Sequence, residues 1–509
     1  MTRRLLCRLA WGPFGILPLL ALAGCDVGPD YHKPATAVPA AFTAPGATTG
    51  TGRSGDGPAP IWPDSRWWEG FGSPDLDQLE QQAIAHNYNL QSAIAAVEAA
   101  DGAVRVVGGA LLPTVSGSPG VSWSQVNTSG STGAVVNSNN TITESGHGVV
   151  DTRTYSATLS ASYEVDFWGK NRATFNAAEA NAMSARYAAQ VTALTIVADV
   201  ADTYFAALAY QDELAVARRN LAIAEQLLSV EQGRLAAGYS SVLDVAQQAA
   251  LVAGQRANIP NLVSLERQEV IALGILVGRP PEEIAINPGS LATTTIPPAV
   301  PGLPVELLRR RPDVAEAEAN LVSAVATTRA ARAALFPTLT LSGSIGWENG
   351  ALAGLLTPQS LVIDAAASAV QTLFDNGALS GQVAEDRALA KEQAAAYQQS
   401  VLQAYTDVET ALTQLHYAAD QQKLQELAVQ QAELATSVAR AQLNAGTADI
   451  TTLITSQETQ LTDENTLVTV RLTRIQAAVA LSQALGGGWQ QTAPETAQPV
   501  PAINPSIIP

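Results

Sequence analysis

Four histidines and two cysteines are the side chains of this 509-residue chain best suited to proton transfer, nucleophilic attack or metal binding. His32, His86, His147 and His416 stand far apart, with no metal-ligand spacing to one another or to a cysteine. No serine occupies a G-x-S-x-G elbow. Gly169-Lys170 is the one Gly-Lys pair, and Glu164 stands where a phosphate-binding loop requires glycine. The expectation is a protein that is not an enzyme and uses no metal and no dissociable cofactor.

Cys25 carries a different chemistry. Arg3, Arg4 and Arg8 precede a mostly apolar run from Leu9 to Leu22, which ends in Leu22-Ala23-Gly24-Cys25. The run is short and broken by Pro13, Gly15 and Pro18, so it suits an export signal better than a membrane span. Residues 1–24 are expected to be a lipoprotein signal peptide, whose removal leaves a lipid on Cys25. An ordinary secretory signal with a chance cysteine is the alternative. Cys7 would depart with the signal, so no disulfide is expected even in an oxidising compartment.

The elements that would carry such a terminus follow from composition. Apolar residues make up 47% of the chain but aromatics only 5%, a profile suited to long helices packed through small side chains. The formal charge of −18 speaks against nucleic acid, which needs clustered Lys and Arg. It serves solubility, or it favours passage of cations. Residues 25–61, rich in Pro, Ala, Gly and Thr, read as an extended segment with no packed core of its own. Residues 490–509 read as a flexible tail.

Between them the sequence repeats itself. Ala-Leu-Leu-Pro-Thr-Val from Ala110 returns as Ala-Leu-Phe-Pro-Thr-Leu from Ala334, and Trp123 and Trp347 follow at matching offsets. Leu235-Ala236-Ala237-Gly238 returns as Leu443-Asn444-Ala445-Gly446. Two structural repeats are expected, 62–296 and 297–489. The first would hold a helix, a β-hairpin at about 113–168, a long helix at about 170–236 and a helix at about 240–278. The second would hold a helix at about 304–335, a hairpin at about 337–374, a long helix at about 377–444 and a helix at about 448–485.

Strand periodicity is clearest from Thr154 to Trp168, where Tyr155, Ala157, Leu159, Ala161, Tyr163, Val165 and Phe167 alternate with Ser, Thr and acidic residues. Thr114–Gln125 and Thr338–Trp347 repeat it, and Ser360–Phe374 alternates less cleanly. Alternating segments of about ten residues edged by Trp and Tyr suit a membrane-spanning β-barrel, though a half-buried soluble strand alternates too. Neither Lys170–Gln232 nor Gln382–Ala445 contains Gly or Pro, so each can form a helical rod of roughly 95 Å. Val191, Leu194, Ala198, Ala201, Phe205 and Leu208 keep 3-4 spacing, with Val197, Val200, Tyr204 and Ala207 as a second stripe beside it. Two stripes imply a neighbour on each side, as in a ring of helices; an antiparallel bundle remains the simpler alternative. Gly238 and Gly446 are placed to end the rods in left-handed turns. Four strands cannot close a barrel and open edges cannot face lipid, so several copies are required.

Several stretches carry a resemblance. Trp67-Trp68-Glu69-Gly70-Phe71, the run from Ser73 to Leu90, Val27–Tyr31, Gly302–Leu321 and Ala484–Trp489 resemble the TolC-like outer-membrane factors, most closely the NodT-type lipoproteins that serve RND-type multidrug pumps. The resemblance covers nearly the whole mature chain. It implies a mixed α and β fold: a homotrimer whose twelve-stranded outer-membrane β-barrel, four strands per chain, continues into a long periplasmic α-helical barrel. It also implies a passive exit duct for small toxic or amphiphilic compounds, joined to a periplasmic adaptor and an inner-membrane RND-type transporter. A type I protein-secretion duct is the alternative on the same fold. By the same resemblance Gly238, Ser241 and Leu243 at the first tip, and Gly446, Ile450 and Leu453 at the second, would meet the adaptor. Relatives carry Asp and Arg where Thr455 and Glu458 stand, so a charged gate there is in doubt; Asp244, Asp449 and Glu458 are other sources of an acidic constriction, or solvated surface carboxylates. Asp26, directly after Cys25, would retain an enteric lipoprotein at the inner membrane, whereas the strands place the chain in the outer membrane.

Overall fold

In the computed structural model the described residues are 27–36, 39, 41–45, 61–128, 148–302 and 304–490. Cys25, Asp26 and His147 lie outside them, as do the expected signal segment, 1–24, and residues 491–509. Helices α1 (Pro74–His86) and α2 (Tyr88–Gly108) lead into strands β1 (Thr114–Thr128) and β2 (Gly148–Val165), then helices α3 (Lys170–Ala236) and α4 (Val242–Val277). The second repeat runs α5 (Pro304–Leu307), α6 (Pro312–Ala333), β3 (Thr338–Asn349), β4 (Leu361–Val370), α7 (Ala378–Asn444) and α8 (Ile450–Ala484). The chain divides into two compact units: 99–182 with 321–393 hold the strands, whereas 33–98, 183–320 and 394–490 hold most of the helix.

The strands form one antiparallel sheet in the order β1-β2-β3-β4. Its register gathers the apolar positions on one face. Val121 pairs with Tyr155, Leu159 with Ile345, Ala157 with Trp347, Tyr163 with Leu341, and Ile345 with Ile363. Partners in a ladder share a face, so an apolar band runs unbroken across four strands, and Ser116, Ser160, Ser344 and Asp364 share the other. Gly346 belongs to the polar face, where an added Cβ would press on the Ala157 carbonyl and on Thr158. Aromatic residues edge the sheet at both ends. Trp123, Tyr155 and Trp347 cluster near the loops, while Trp168 stacks on Phe336 at 4.7 Å and donates from Nε1 to the Pro337 carbonyl at 2.9 Å.

In the helical unit, α3 buries Val197, Val200, Ala201, Tyr204, Phe205 and Leu208 against α1, the end of α4 and the end of α8. Both expected stripes are thus used. Phe71 lies 5.1 Å from Phe205, and Ser73 caps α1 while its hydroxyl meets the Tyr204 hydroxyl at 2.7 Å. Glu80 sits on the same buried face of α1 as Leu76 and Ala83, and burial pushes its carboxyl well above the usual range.

Three expectations need correction. The single helix at about 304–335 is two helices: Arg309, Arg310 and Arg311 form the break, and Pro312, which cannot donate to a preceding turn, opens α6. The strand of the first hairpin ends at Val165 rather than Trp168, because Asp166 turns to accept from the N–H groups of Asn171 and Arg172 at the start of α3. Likewise β4 stops at Val370, short of Phe374.

The segment before Ile61 is also more than a spacer. Lys33 pairs with Glu318 at 2.6 Å and lies over the Tyr397 ring. Phe42 is buried beside Tyr405, and the N–H groups of Thr43 and Ala44 donate to the two carboxylate oxygens of Glu409 at 2.6 and 2.8 Å. Its described residues are thus pinned to α6 and α7.

Candidate functional site

Two helical turns carry most of the expected site residues. α3 ends in a left-handed residue, Gly238 (φ 79°), and the Tyr239 N–H closes the helix on the Arg234 carbonyl at 2.8 Å. A side chain there would be strained. Ser241 then caps α4: its hydroxyl accepts from the Asp244 N–H, and the Asp244 carboxylate accepts from the Ser241 N–H at 2.8 Å. Beneath the turn, buried Glu231 takes Arg234 at 3.1 Å and Ser240 at 2.9 Å. Tyr239, Val242 and Leu243 project outward, each more than 60% exposed.

The second turn follows the same plan with other residues. Gly446 (φ 72°) ends α7, and the Thr447 N–H returns to the Gln442 carbonyl at 2.9 Å. Asp449 caps α8, its carboxylate accepting from the N–H and hydroxyl of Thr452 at 2.9 and 3.0 Å. Here the apolar residues point inward. Ile450 and Leu453 are buried with Ala439 and Leu443, and Leu227 of α3 packs on the cluster. These two expected contact residues are therefore packing groups and offer no side chain to a partner, since a helix-start position facing its own hairpin is covered by it.

The four expected gate residues separate in the same way. Backbone donors hold the carboxyls of Asp244 and Asp449 below the usual range, and the two lie near enough for Asp244 to oppose that effect at Asp449. Both are helix caps first. Thr455 and Glu458 are exposed on α8, the Thr455 hydroxyl turned back to the Thr451 carbonyl at 3.0 Å. A cavity of about 460 Å³ lined by Asp449, Thr451, Thr452, Thr455, Ser456 and Thr459 lies at this turn. Its hydroxyls and single carboxylate can solvate a solute or a polar helix; among the described residues no three His, Cys, Asp or Glu groups converge to hold a metal.

One residue escaped the sequence reading although it lies within the Gly302–Leu321 stretch that carries the resemblance. Arg311, largely buried, donates to both carboxylate oxygens of Asp313, pairs with Asp407 of α7 at 2.9 Å and reaches the Ala484 carbonyl at the end of α8. It ties three helices together in one charge-assisted network. Only the Arg-Pro-Asp spelling hinted at it.

A sheet with one lipid-compatible face, aromatic edges and unpaired outer strands, carried on helices of 67 residues, defines a subunit of an outer-membrane conduit. The chain belongs to the outer membrane efflux protein family, whose model matches residues 79–279 and 303–487. It is 35% identical to the pyoverdine export outer membrane protein OpmQ of Pseudomonas aeruginosa over 428 residues, 84% of this chain and 88% of that one. It is 26% identical to the cation efflux system protein CusC of Escherichia coli K12 over 482 residues, 94% of this chain and all of that one. Among solved structures it matches the outer-membrane channel OprN with a TM-score of 0.81 at 26% identity, covering 92% of this chain and all of the other. The protein is an outer-membrane component of an efflux system and extends into the periplasm.

Proposed function

We propose that three copies of this chain close a twelve-stranded barrel continued by a helical tube, and that the assembly is the passive exit duct of a tripartite pump. The unbroken apolar band with free edges on β1 and β4 carries this reading. A lone four-stranded sheet would leave both edges unsatisfied in lipid. Between Thr338 and Trp347 the strand covers about 30 Å, which at a tilt of 35–45° is close to the apolar band of an outer-membrane barrel, about 25 Å tall. No step of chemistry belongs to the duct; an inner-membrane RND-type transporter would supply the energy and a periplasmic adaptor would join the two. The first tip, through Gly238, Ser241 and Leu243, is the surface offered to that adaptor, with Gly446 shaping the second. Small solutes are the favoured cargo over secreted proteins, because pyoverdine and cations are what the named relatives handle. Lipid attachment at Cys25 completes the reading. Native mass spectrometry of the detergent-extracted chain, with conductance in planar bilayers, tests it: a trimer with a water-filled pore is expected, and a non-conducting monomer refutes it. Cys25→Ser should abolish lipid labelling and leave the trimer.

A further inference from the structure

The sheet carries a single basic side chain. Arg153 is the only Lys or Arg between Arg105 and Lys170, and the second hairpin has none between Arg332 and Arg387. The register puts it on the apolar face. Odd-numbered positions of all four strands share that face, and Arg153 is one of them, directly opposite Trp123 and two residues from Tyr155. The strand carboxylates Glu164, Glu348 and Asp364 lie on the other face. Asp151 is the one acid on the face of Arg153, and among the described residues no ion pair joins the two. An arginine that served the other carboxylates would occupy an even position; this one is turned toward lipid.

Height decides what it meets there. The strand ends at Thr114, Val165, Thr338 and Val370 lead into the helices, which extend into the periplasm, so the hairpin ends face the exterior. Arg153 lies about 7 Å beyond Tyr155 toward that end, level with the last ring of the aromatic belt, where outer-leaflet headgroups begin. Trp123 beside it is 61% exposed, and exposed Gln125 lies diagonal to it on the same face. A guanidinium forks onto phosphate oxygens, an indole covers the apolar side of a sugar ring, and an amide exchanges hydrogen bonds with sugar hydroxyls. We infer that Arg153, with Trp123 and Gln125, forms a site on the lipid-facing side for the phosphorylated saccharide headgroup of an outer-leaflet lipid, one site per subunit. A plain phospholipid would use the arginine and leave the ring and the amide idle. The inference rests on the reading of the sheet as one sector of a lipid-facing barrel, and adds which lipid touches it and where.

Lipid retention tests it in the full-length protein. The detergent-purified chain is mixed with equal amounts of a bisphosphorylated disaccharide lipid (lipid A), its phosphate-free form and phosphatidylglycerol, and bound lipid is counted by native mass spectrometry. The parent should retain lipid A about tenfold over either of the others. Arg153→Gln should lose that preference, and Arg153→Lys, which keeps the charge without the fork, should keep part of it, both with unchanged oligomer and conductance. Equal retention of lipid A by Arg153→Gln and the parent would overturn the site. Equal retention of phosphatidylglycerol would overturn the saccharide assignment, and displacement of lipid A by inorganic phosphate would overturn the lipid one. A conducting trimer without lipid preference refutes this site and spares the duct; if no oligomer forms, both fail.

Discussion

The two helical turns share a plan and differ in what they do with their apolar residues. After α3, Leu243 is 64% exposed and stands beside Tyr239 and Val242; after α7, Leu453 is fully buried and Ile450 nearly so. Each turn begins with a left-handed glycine and ends with a polar cap, so the backbone does not explain the difference. The cluster beneath does. Leu227 packs against the second turn, whereas beneath the first the charged group Glu231–Arg234 fills the same role and leaves the apolar side chains outside. A duplicated motif has thus become one turn that holds itself together and one that has surface to offer.

The contrast breaks first at Leu453. Leu453→Ala should destabilise the hairpin by about 2–5 kcal/mol through lost burial and a cavity, seen in chemical unfolding. A change under about 1 kcal/mol would mean the second turn is not self-packed. Leu243→Ala should leave stability within about 0.5 kcal/mol and weaken binding of a periplasmic adaptor about tenfold, some 1.4 kcal/mol by titration. Equal binding by Leu243→Ala and the parent would remove the functional half of the contrast. Ser241→Ala should cost about 1 kcal/mol by removing a cap, read as faster amide exchange at the start of α4 and not of α8.

Acid should loosen both turns, with the smallest effect. The folded carboxyls of Asp244 and Asp449 lie below their unfolded values, so their contribution is present above the ordinary carboxyl range and is lost as pH falls through the folded values. Amide protection at both turns, taken relative to the intrinsic exchange rate, should fall below about pH 4. Asp449→Asn should blunt that dependence at the second turn only; an unchanged pH profile there would sink the capping assignment.

The mixed fold was legible because its signals are periodic. Alternation along Thr154–Val165 and the absence of Gly and Pro through Lys170–Gln232 each force one backbone, and Gly238 and Gly446 mark where it must stop. What escaped depends on tertiary neighbours. Ile450 follows a cap and looks like a tip residue until α3 is seen to supply Leu227. Arg311 reads as one of three arginines before a proline; only the approach of Asp407 and the Ala484 carbonyl separates it from Arg309 and Arg310. Glu409 gave no hint of its two backbone donors, which lie 365 and 366 positions away.

The pinning of Lys33 to Glu318 sets a leash. Lys33 lies eight positions after Cys25, and a fully stretched chain of that length reaches no more than about 29 Å. Acyl chains on Cys25, as proposed above, would therefore have to enter the bilayer within that radius of Lys33.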